Sequence, residues 1–220
     1  MIVGSDDVDK LSKLVDGKIH KFCVDSNIKV FVCGGASPVS KEFYIEAYNI
    51  GKLLAKLGVS YLQGGVSNRK TMMGESYRGY VESGGNSSYF ITRKFATEDI
   101  FKDLDNLQGA FEVDDIGQLI KAQYLWSDIV IILPGGTGTL IELLGYIEQK
   151  YDYPNKNPIV IVFNKKIEGK GYFDNFFEQI KQSQISGFIS KDVIEKNFTI
   201  VETFNDLKEC LLNLIEEYKK

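Results

Sequence analysis

Short apolar runs alternate along the chain with longer amphipathic segments. The runs are Ile28–Cys33 (IKVFVC), Val59–Leu62, Ser88–Thr92, Ala110–Val113, Ile129–Leu133 and Pro158–Phe163, with a weaker seventh at Phe198–Val201. Continuous stretches such as IVIIL and IVIVF suit strands covered on both faces, as inside a parallel sheet. Between the runs, the spacing predicts helices over Lys41–Leu57, Thr71–Ser83, Asp115–Trp126, Gly138–Lys150, Tyr172–Gln184 and Phe204–Tyr218. In the first of these Phe43, Ala47, Ile50, Leu54 and Leu57 share one stripe, and Gly58 follows as a C-terminal stop. The last sets acids and lysines around Leu207, Leu211 and Leu214, the pattern of a surface helix. This alternation predicts an α/β fold: a Rossmann-like, doubly wound parallel sheet with helices on both faces and right-handed crossovers. Residues 1–27 read as an N-terminal extension with one short amphipathic helix. Residues 28–220 read as a single domain without internal repeat or linker.

Composition narrows the functional classes. A chain of 220 residues, 44% hydrophobic and 12% aromatic, sustains one sizeable core and is not disordered. A net charge of −4 argues against an electrostatic nucleic-acid binder, so no nucleic-acid partner is expected. The single histidine, His20, removes His-rich metal sites and a Ser-His-Asp triad built elsewhere. Neither a metal nor a cofactor is expected. Cys23, Cys33 and Cys210 form no CxxC pair, and an odd count suits free thiols in a reducing compartment. Charges through residues 1–21 and the lack of an apolar run of about 18 residues predict no signal peptide, no membrane partner and a cytoplasmic location.

In a doubly wound sheet, ligands bind beyond the carboxyl ends of the strands. Three loops at such positions are rich in glycine: Gly34-Gly35-Ala36-Ser37 after the first run, Gly64-Gly65 through Met73-Gly74 after the second, and Pro134-Gly135-Gly136-Thr137-Gly138-Thr139 after the fifth. Glycine lets the backbone approach an anion, and a helix opening directly afterwards aims free N–H groups and its positive dipole end at it. Any one such loop could be a tight strand-to-helix turn and nothing more. The third adds two threonine hydroxyls and an acid, Glu142, one helical turn on. Neither GxxxxGK[ST] nor a full GxGxxG occurs, so the P-loop and dinucleotide fingerprints do not fit.

Pro134–Glu142 (PGGTGTLIE) resembles the PGGxGTxxE signature of the LOG family, the cytokinin riboside 5′-monophosphate phosphoribohydrolases long mislabelled as lysine decarboxylases. Gly34–Ser37 is similar to that family's first phosphate loop, Gly64-Gly65 with Met73-Gly74 to its GG…MG loop, and Gly187–Ser190 to its GFIS-type segment. The likeness covers roughly residues 28–218. It implies a Rossmann-like homodimer or assembly of dimers that binds a nucleoside 5′-monophosphate and hydrolyses its N-glycosidic bond, releasing free base and ribose 5-phosphate. Phosphate and ribose would be held by Gly34, Gly35, Ala36, Ser37, Gly64, Gly65, Met73, Gly74, Gly135, Gly136, Thr137, Gly138 and Thr139. Glu142 would be catalytic, since a carboxylate beside C1′ stabilises an oxocarbenium-like ribosyl group or orients water. Its plainer role is a first-turn acid complementing the helix dipole.

One departure bears on activity. Counting back from Pro134 and anchoring on Val113-Asp114-Asp115, the family's arginine and lysine positions fall on Leu119 and Ile120, both apolar. Lys121 points about 100° away around the helix. The 64–74 loop is about two residues longer than the family pattern, which brings Arg69 and Lys70 forward as replacement cations. Asp115 matches an acid of the family and equally suits an N-cap. The alternative is a non-catalytic protein of the same fold that binds a nucleotide or other phosphorylated ligand. Related proteins with such loops include molybdenum-cofactor carriers and the DNA-processing protein DprA. Nothing identifies a lysine that would anchor pyridoxal phosphate for decarboxylation. For a base pocket the resemblance offers Met72, Met73, Tyr124 and Trp126, each equally suited to core packing.

Overall fold

The computed structural model describes residues 17–22, 27–65, 70–93 and 107–219. Arg69 lies outside these, as does most of the 1–27 segment in which one short amphipathic helix is expected; within that segment Gly17–Phe22 forms a strand instead. Strands β1 (Gly17–Phe22), β2 (Lys29–Cys33), β3 (Ser60–Gln63), β4 (Ser88–Arg93), β5 (Gly109–Val113), β6 (Ile129–Ile132), β7 (Ile159–Phe163) and β10 (Phe198–Val201) form one sheet. Its order is β1-β5-β4-β3-β2-β6-β7-β10. Seven strands run parallel, as predicted, and β1 pairs antiparallel with β5 along the edge. A strand within residues 1–27 has no counterpart in the sequence reading. The short antiparallel pair β8 (Lys166–Ile167) and β9 (Lys170–Gly171) was not foreseen either.

Helices α1 (Lys41–Leu57), α2 (Met72–Glu82) and α7 (Phe204–Tyr218) cover one face of the sheet; α3 (Ile116–Trp126), α4 (Thr137–Asp152), α5 (Asp174–Ile185) and α6 (Val193–Asn197) cover the other. The helical stripes face inwards: α1 buries Ala47, Ile50 and Leu54 and ends on Gly58 at φ 67°. Helix α7 opens with a Thr203–Asp206 capping box and buries Leu207, Leu211 and Ile215. Alternate strand residues serve two cores. Val30, Val32, Ile129 and Ile131 point to α1 and α2, whereas Phe31, Cys33, Val130 and Ile132 point to α3 and α4. This two-sided burial explains why the central strands are apolar throughout.

Helices α1 and α2 touch through their backbones. A Cβ on Gly79 would sit 2.0 Å from the Tyr48 carbonyl oxygen, and one on Gly51 only 1.8 Å from that of Ser76. Each of these helices leaves a glycine-rich loop, so their contact sets the spacing between the two loops.

From β2 the chain winds outwards to β5, then returns to place β6 on the other side of β2, with Val30 opposite Ile129 and Cys33 opposite Ile132. The direction of winding reverses at this pair. A doubly wound sheet opens its ligand crevice outside the carboxyl ends of such strands.

Candidate functional site

A cavity of about 390 Å³ opens at that place. The loop after β2 contributes Gly34, Gly35, Ala36 and Ser37, and the loop after β6 contributes Pro134 through Thr139. Gly64, Met72 and Met73 represent the second glycine loop. Gly65 and Gly74 are not on the wall: Gly65 holds a turn at φ 83°, and the Gly74 N–H donates to Oγ1 of Thr71, the N-cap of α2.

Backbone hydrogen bonds stitch the loops together. Gly35 N–H donates to the Pro134 carbonyl at 3.0 Å, Met72 N–H to the Gly35 carbonyl at 3.0 Å, and Val39 N–H to the Lys70 carbonyl at 3.1 Å. Gly35 is therefore a structural tie as well as a wall, because its N–H is committed within the protein. Gly135 has no room for a side chain: a Cβ would lie 2.1 Å from Thr139 Oγ1 and 2.8 Å from the Gly35 nitrogen. By contrast Gly136 and Gly138 are exposed, with nothing within 4 Å of an added Cβ. They open α4, whose first N–H groups have no partner within the helix and face the cavity with the positive end of its dipole.

Glu142, on the next turn of α4, lines the cavity and is only 8% exposed. Gln123 Nε2 on α3 donates to Glu142 Oε1 at 2.9 Å. The Tyr146 hydroxyl in turn donates to Gln123 Oε1 at 2.9 Å and lies 3.5 Å from Cys33 Sγ. The carboxylate is thus held from behind by a buried polar chain while one side stays open. Burial pushes its pKa up to about 7, against the opposing pull of the Gln123 and Cys33 hydrogen bonds and the Arg93 charge. Burial, with the adjacent Glu142 charge, also raises the Cys33 thiol well above its usual range, which keeps it protonated and unreactive.

The candidate cations resolve differently. Lys121 lies beside the Tyr153 ring, 5.6 Å from its centroid, and is not on the cavity wall. Lys70 is exposed at φ 67°, off the wall; its backbone N–H donates to Glu75 Oε1 at 3.0 Å, which anchors the end of the long 64–74 loop. Asp115 caps α3 by accepting the Gln118 N–H at 2.8 Å, and it too is off the wall. Leu119, at the position the resemblance gives to the family's arginine, faces the cavity together with Ile116. Of the proposed base-pocket residues, Met72 and Met73 line the cavity. Tyr124 instead donates to the Lys156 carbonyl, and Trp126 packs edge-on against Tyr89 and Phe111.

Sequence reasoning missed Arg93. It ends β4, lines the cavity and lowers the pKa of Glu142 through its charge. Its only signal in the sequence is a cation at the carboxyl end of an apolar run, which has the same appearance as a solvated strand end. Phe43, Tyr172, Gln123 and Tyr146 were missed as well. The last two are polar groups on buried helix faces, which periodicity alone assigns to packing. Among the described residues no cluster of three or more His, Cys, Asp or Glu side chains could hold a metal ion. No described helix is long and apolar enough to cross a membrane.

No curated protein matches the sequence as a relative. Solved structures do share the fold. The molybdenum cofactor binding protein of Rippkaea orientalis is 19% identical, with a TM-score of 0.57 over 90% of this chain and 100% of that one. The molybdenum cofactor carrier protein of Chlamydomonas reinhardtii is 16% identical, with a TM-score of 0.55 over 86% and 99%. DNA processing protein A of Helicobacter pylori, whose structure reports single-stranded DNA binding, is 12% identical, with a TM-score of 0.55 over 92% and 84%. At such identities these likenesses establish the fold alone. The family is fixed by sequence: residues 68–211, well over half of the chain and including Glu142, match the profile described as "Possible lysine decarboxylase", and the chain belongs to that family.

Proposed function

We propose that this protein is a nucleoside 5′-monophosphate phosphoribohydrolase of LOG type, cleaving the N-glycosidic bond to release free base and ribose 5-phosphate. The observation that carries the reading is the buried Glu142 carboxyl, poised near neutrality on the wall of a cavity whose adjacent helix start suits a phosphate. The 5′-phosphate sits at the opening of α4, against Gly136, Thr137 and Gly138. That anchorage brings C1′ beside Glu142, one turn further along the helix. As the C1′–N bond lengthens, the Glu142 carboxylate balances the positive charge on the ribosyl group and orients the attacking water. Met73, Leu119 and Ile116 offer an apolar wall to the base. Arg93 takes the place of the missing family cation, its charge favouring the ionised form of Glu142 against the upward pull of burial. No resident metal or cofactor is required by this chemistry.

The test is release of free base from a panel of nucleoside 5′-monophosphates, AMP first, followed by chromatography. Release that disappears in Glu142→Ala supports the hydrolase; wild-type rates in that variant would remove Glu142 from the chemistry. Because the carboxylate is the working form, kcat/KM rises with pH through about 7. In Arg93→Ala, the lost positive charge leaves Glu142 harder to ionise, so the inflection moves to higher pH and the rate at pH 7 falls. Arg93→Lys retains the wild-type profile. An unmoved inflection in Arg93→Ala would exclude the electrostatic role.

A second reading rests on Leu119 facing the cavity and on the fold shared with molybdenum cofactor carriers: a protein that holds a phosphorylated ligand without turning it over. Thermal stabilisation by nucleotides, with no base released from any of them, is its signature. Under either reading the protein works in the cytoplasm as a homodimer. Ile141 and Leu144, 46% and 45% exposed on the outer side of α4, supply apolar surface beside the site for a second copy.

A further inference from the structure

The cavity has an aromatic end, Phe43 and Tyr172, away from Glu142. Along the sheet, Arg93 ends β4 and Tyr172 follows β7, with the glycine loops after β2 and β6 between them. Those outer strands stand four spacings apart, roughly 19 Å. Glu142 is linked towards β4 by Gln123 on α3 and by the Arg93 charge, and meets Cys33 at the end of the intervening β2. On the β7 side the wall is Phe43 and Tyr172, rings 6.3 Å apart and nearly perpendicular. The Lys165–Glu46 ion pair at 2.8 Å draws the first turns of α1 towards the end of β7, with the Lys165 ammonium 5.8 Å from the Phe43 ring centroid.

Tyr172 is built as a platform. Its hydroxyl donates to the Gly135 carbonyl at 2.8 Å, its ring meets Phe173 edge-on at 5.0 Å, and 41% of the residue remains exposed. A fixed aromatic face next to a phosphate loop stacks planar rings without regard to their identity. With the first nucleoside directed towards Glu142 and Arg93, a group reaching Tyr172 must leave from the opposite side of the phosphate.

We infer that the Phe43–Tyr172 end binds a second planar ring joined to the first nucleoside through a pyrophosphate, so that the ligand is of dinucleotide type. This rests on the reading above, which puts the phosphate at α4 and the first nucleoside on the Glu142 side. The glycine loops after β2 and β6, both on the wall, provide two adjacent places for the bridging phosphates.

The experiment compares the affinities of AMP, ADP and diadenosine pyrophosphate by calorimetry. Stacking of the second adenine makes diadenosine pyrophosphate bind roughly tenfold tighter than either mononucleotide. In Tyr172→Ala that preference collapses towards unity, and in Tyr172→Phe it persists; a preference for the dinucleotide is used because changes at Gly135 affect all three ligands alike. Phe43→Leu, tested in parallel, weakens the same preference and covers the case of a Tyr172→Ala chain that does not fold. If AMP binds but diadenosine pyrophosphate binds no tighter than ADP, the second ring has no site and the inference falls while the function reading stands. If none of the three binds, both fall.

Discussion

Glu142→Gln is expected to lose base release while gaining stability. Removing a positioned general base costs on the order of a hundredfold to ten-thousandfold in rate. The stability effect has the opposite sign because the wild-type carboxyl is harder to ionise in the folded protein. Its pKa is about 7 in place, against 4.5 for the free group. Between those values the native state holds a proton that the unfolded chain has released. Ionisation therefore destabilises the fold progressively from pH 4.5 upwards and fully above pH 7, by about 3 kcal/mol. The neutral amide escapes that penalty and still accepts the hydrogen bond from Gln123. Denaturant titrations at pH 8 should favour Glu142→Gln by up to about 3 kcal/mol, and the two proteins should converge near pH 4.5. A gap that stays constant with pH would show that the carboxyl is not the source. Such exchange of stability for activity is the expected mark of a site that holds a strained charge ready for use.

Gly79→Ala is expected to be, with Gly51→Ala at the same helix crossing, among the most damaging small substitutions. The added methyl would sit 2.0 Å from the Tyr48 carbonyl oxygen and 2.8 Å from its carbon, neither of which can swing aside as a side chain would. Helices α1 and α2 would have to separate, at a cost of about 3 kcal/mol or more. The loops they leave would separate too, since Gly35 is tied both to Pro134 and to Met72 at the start of α2. Denaturant unfolding and ligand affinity should therefore fail together. Gly136→Ala is the contrast: φ is −86° and an added Cβ meets nothing within 4 Å, so stability should change by less than about 1 kcal/mol. Equal losses in the two variants would mean that space at the α1–α2 crossing is not what Gly79 supplies.

These two positions also mark how far the sequence could be read. Periodicity announced the seven parallel strands and their main helices, in several cases to the residue, because a doubly covered sheet writes apolar runs without interruption. The cavity wall was legible where its chemistry is concentrated in a short motif, as in Pro134–Glu142. Arg93 was not, because a single cation ending a strand has the same appearance as a solvated one until sheet order brings it opposite Glu142. Gln123 and Tyr146 were hidden for a related reason: they occupy helix positions that packing alone would explain, and only the crossing of α3 with α4 joins them into a hydrogen-bonded chain. Gly17–Phe22 escaped because a strand at the edge of the sheet needs no continuous apolar run. The tie between Lys70 and Glu75 shows a further limit. A longer loop was visible, but not that its extra residues end on a buried acid and keep the lysine off the wall.

The placement of β6 between β2 and β7 has a consequence for synthesis on the ribosome. The strands β2 to β5 come from residues 29–113 and can pair among themselves as they emerge, but β2 keeps one edge open until residues 129–132 arrive. At typical elongation rates, the interval between the end of β2 and the end of β6 lasts on the order of ten seconds. The seam that joins the two halves of the sheet is therefore the one beneath the glycine loops, and it waits for the second half to be made. A nascent chain has no crevice to offer a ligand until both halves are present, and a ligand bridging the loops would clasp them at the moment they meet.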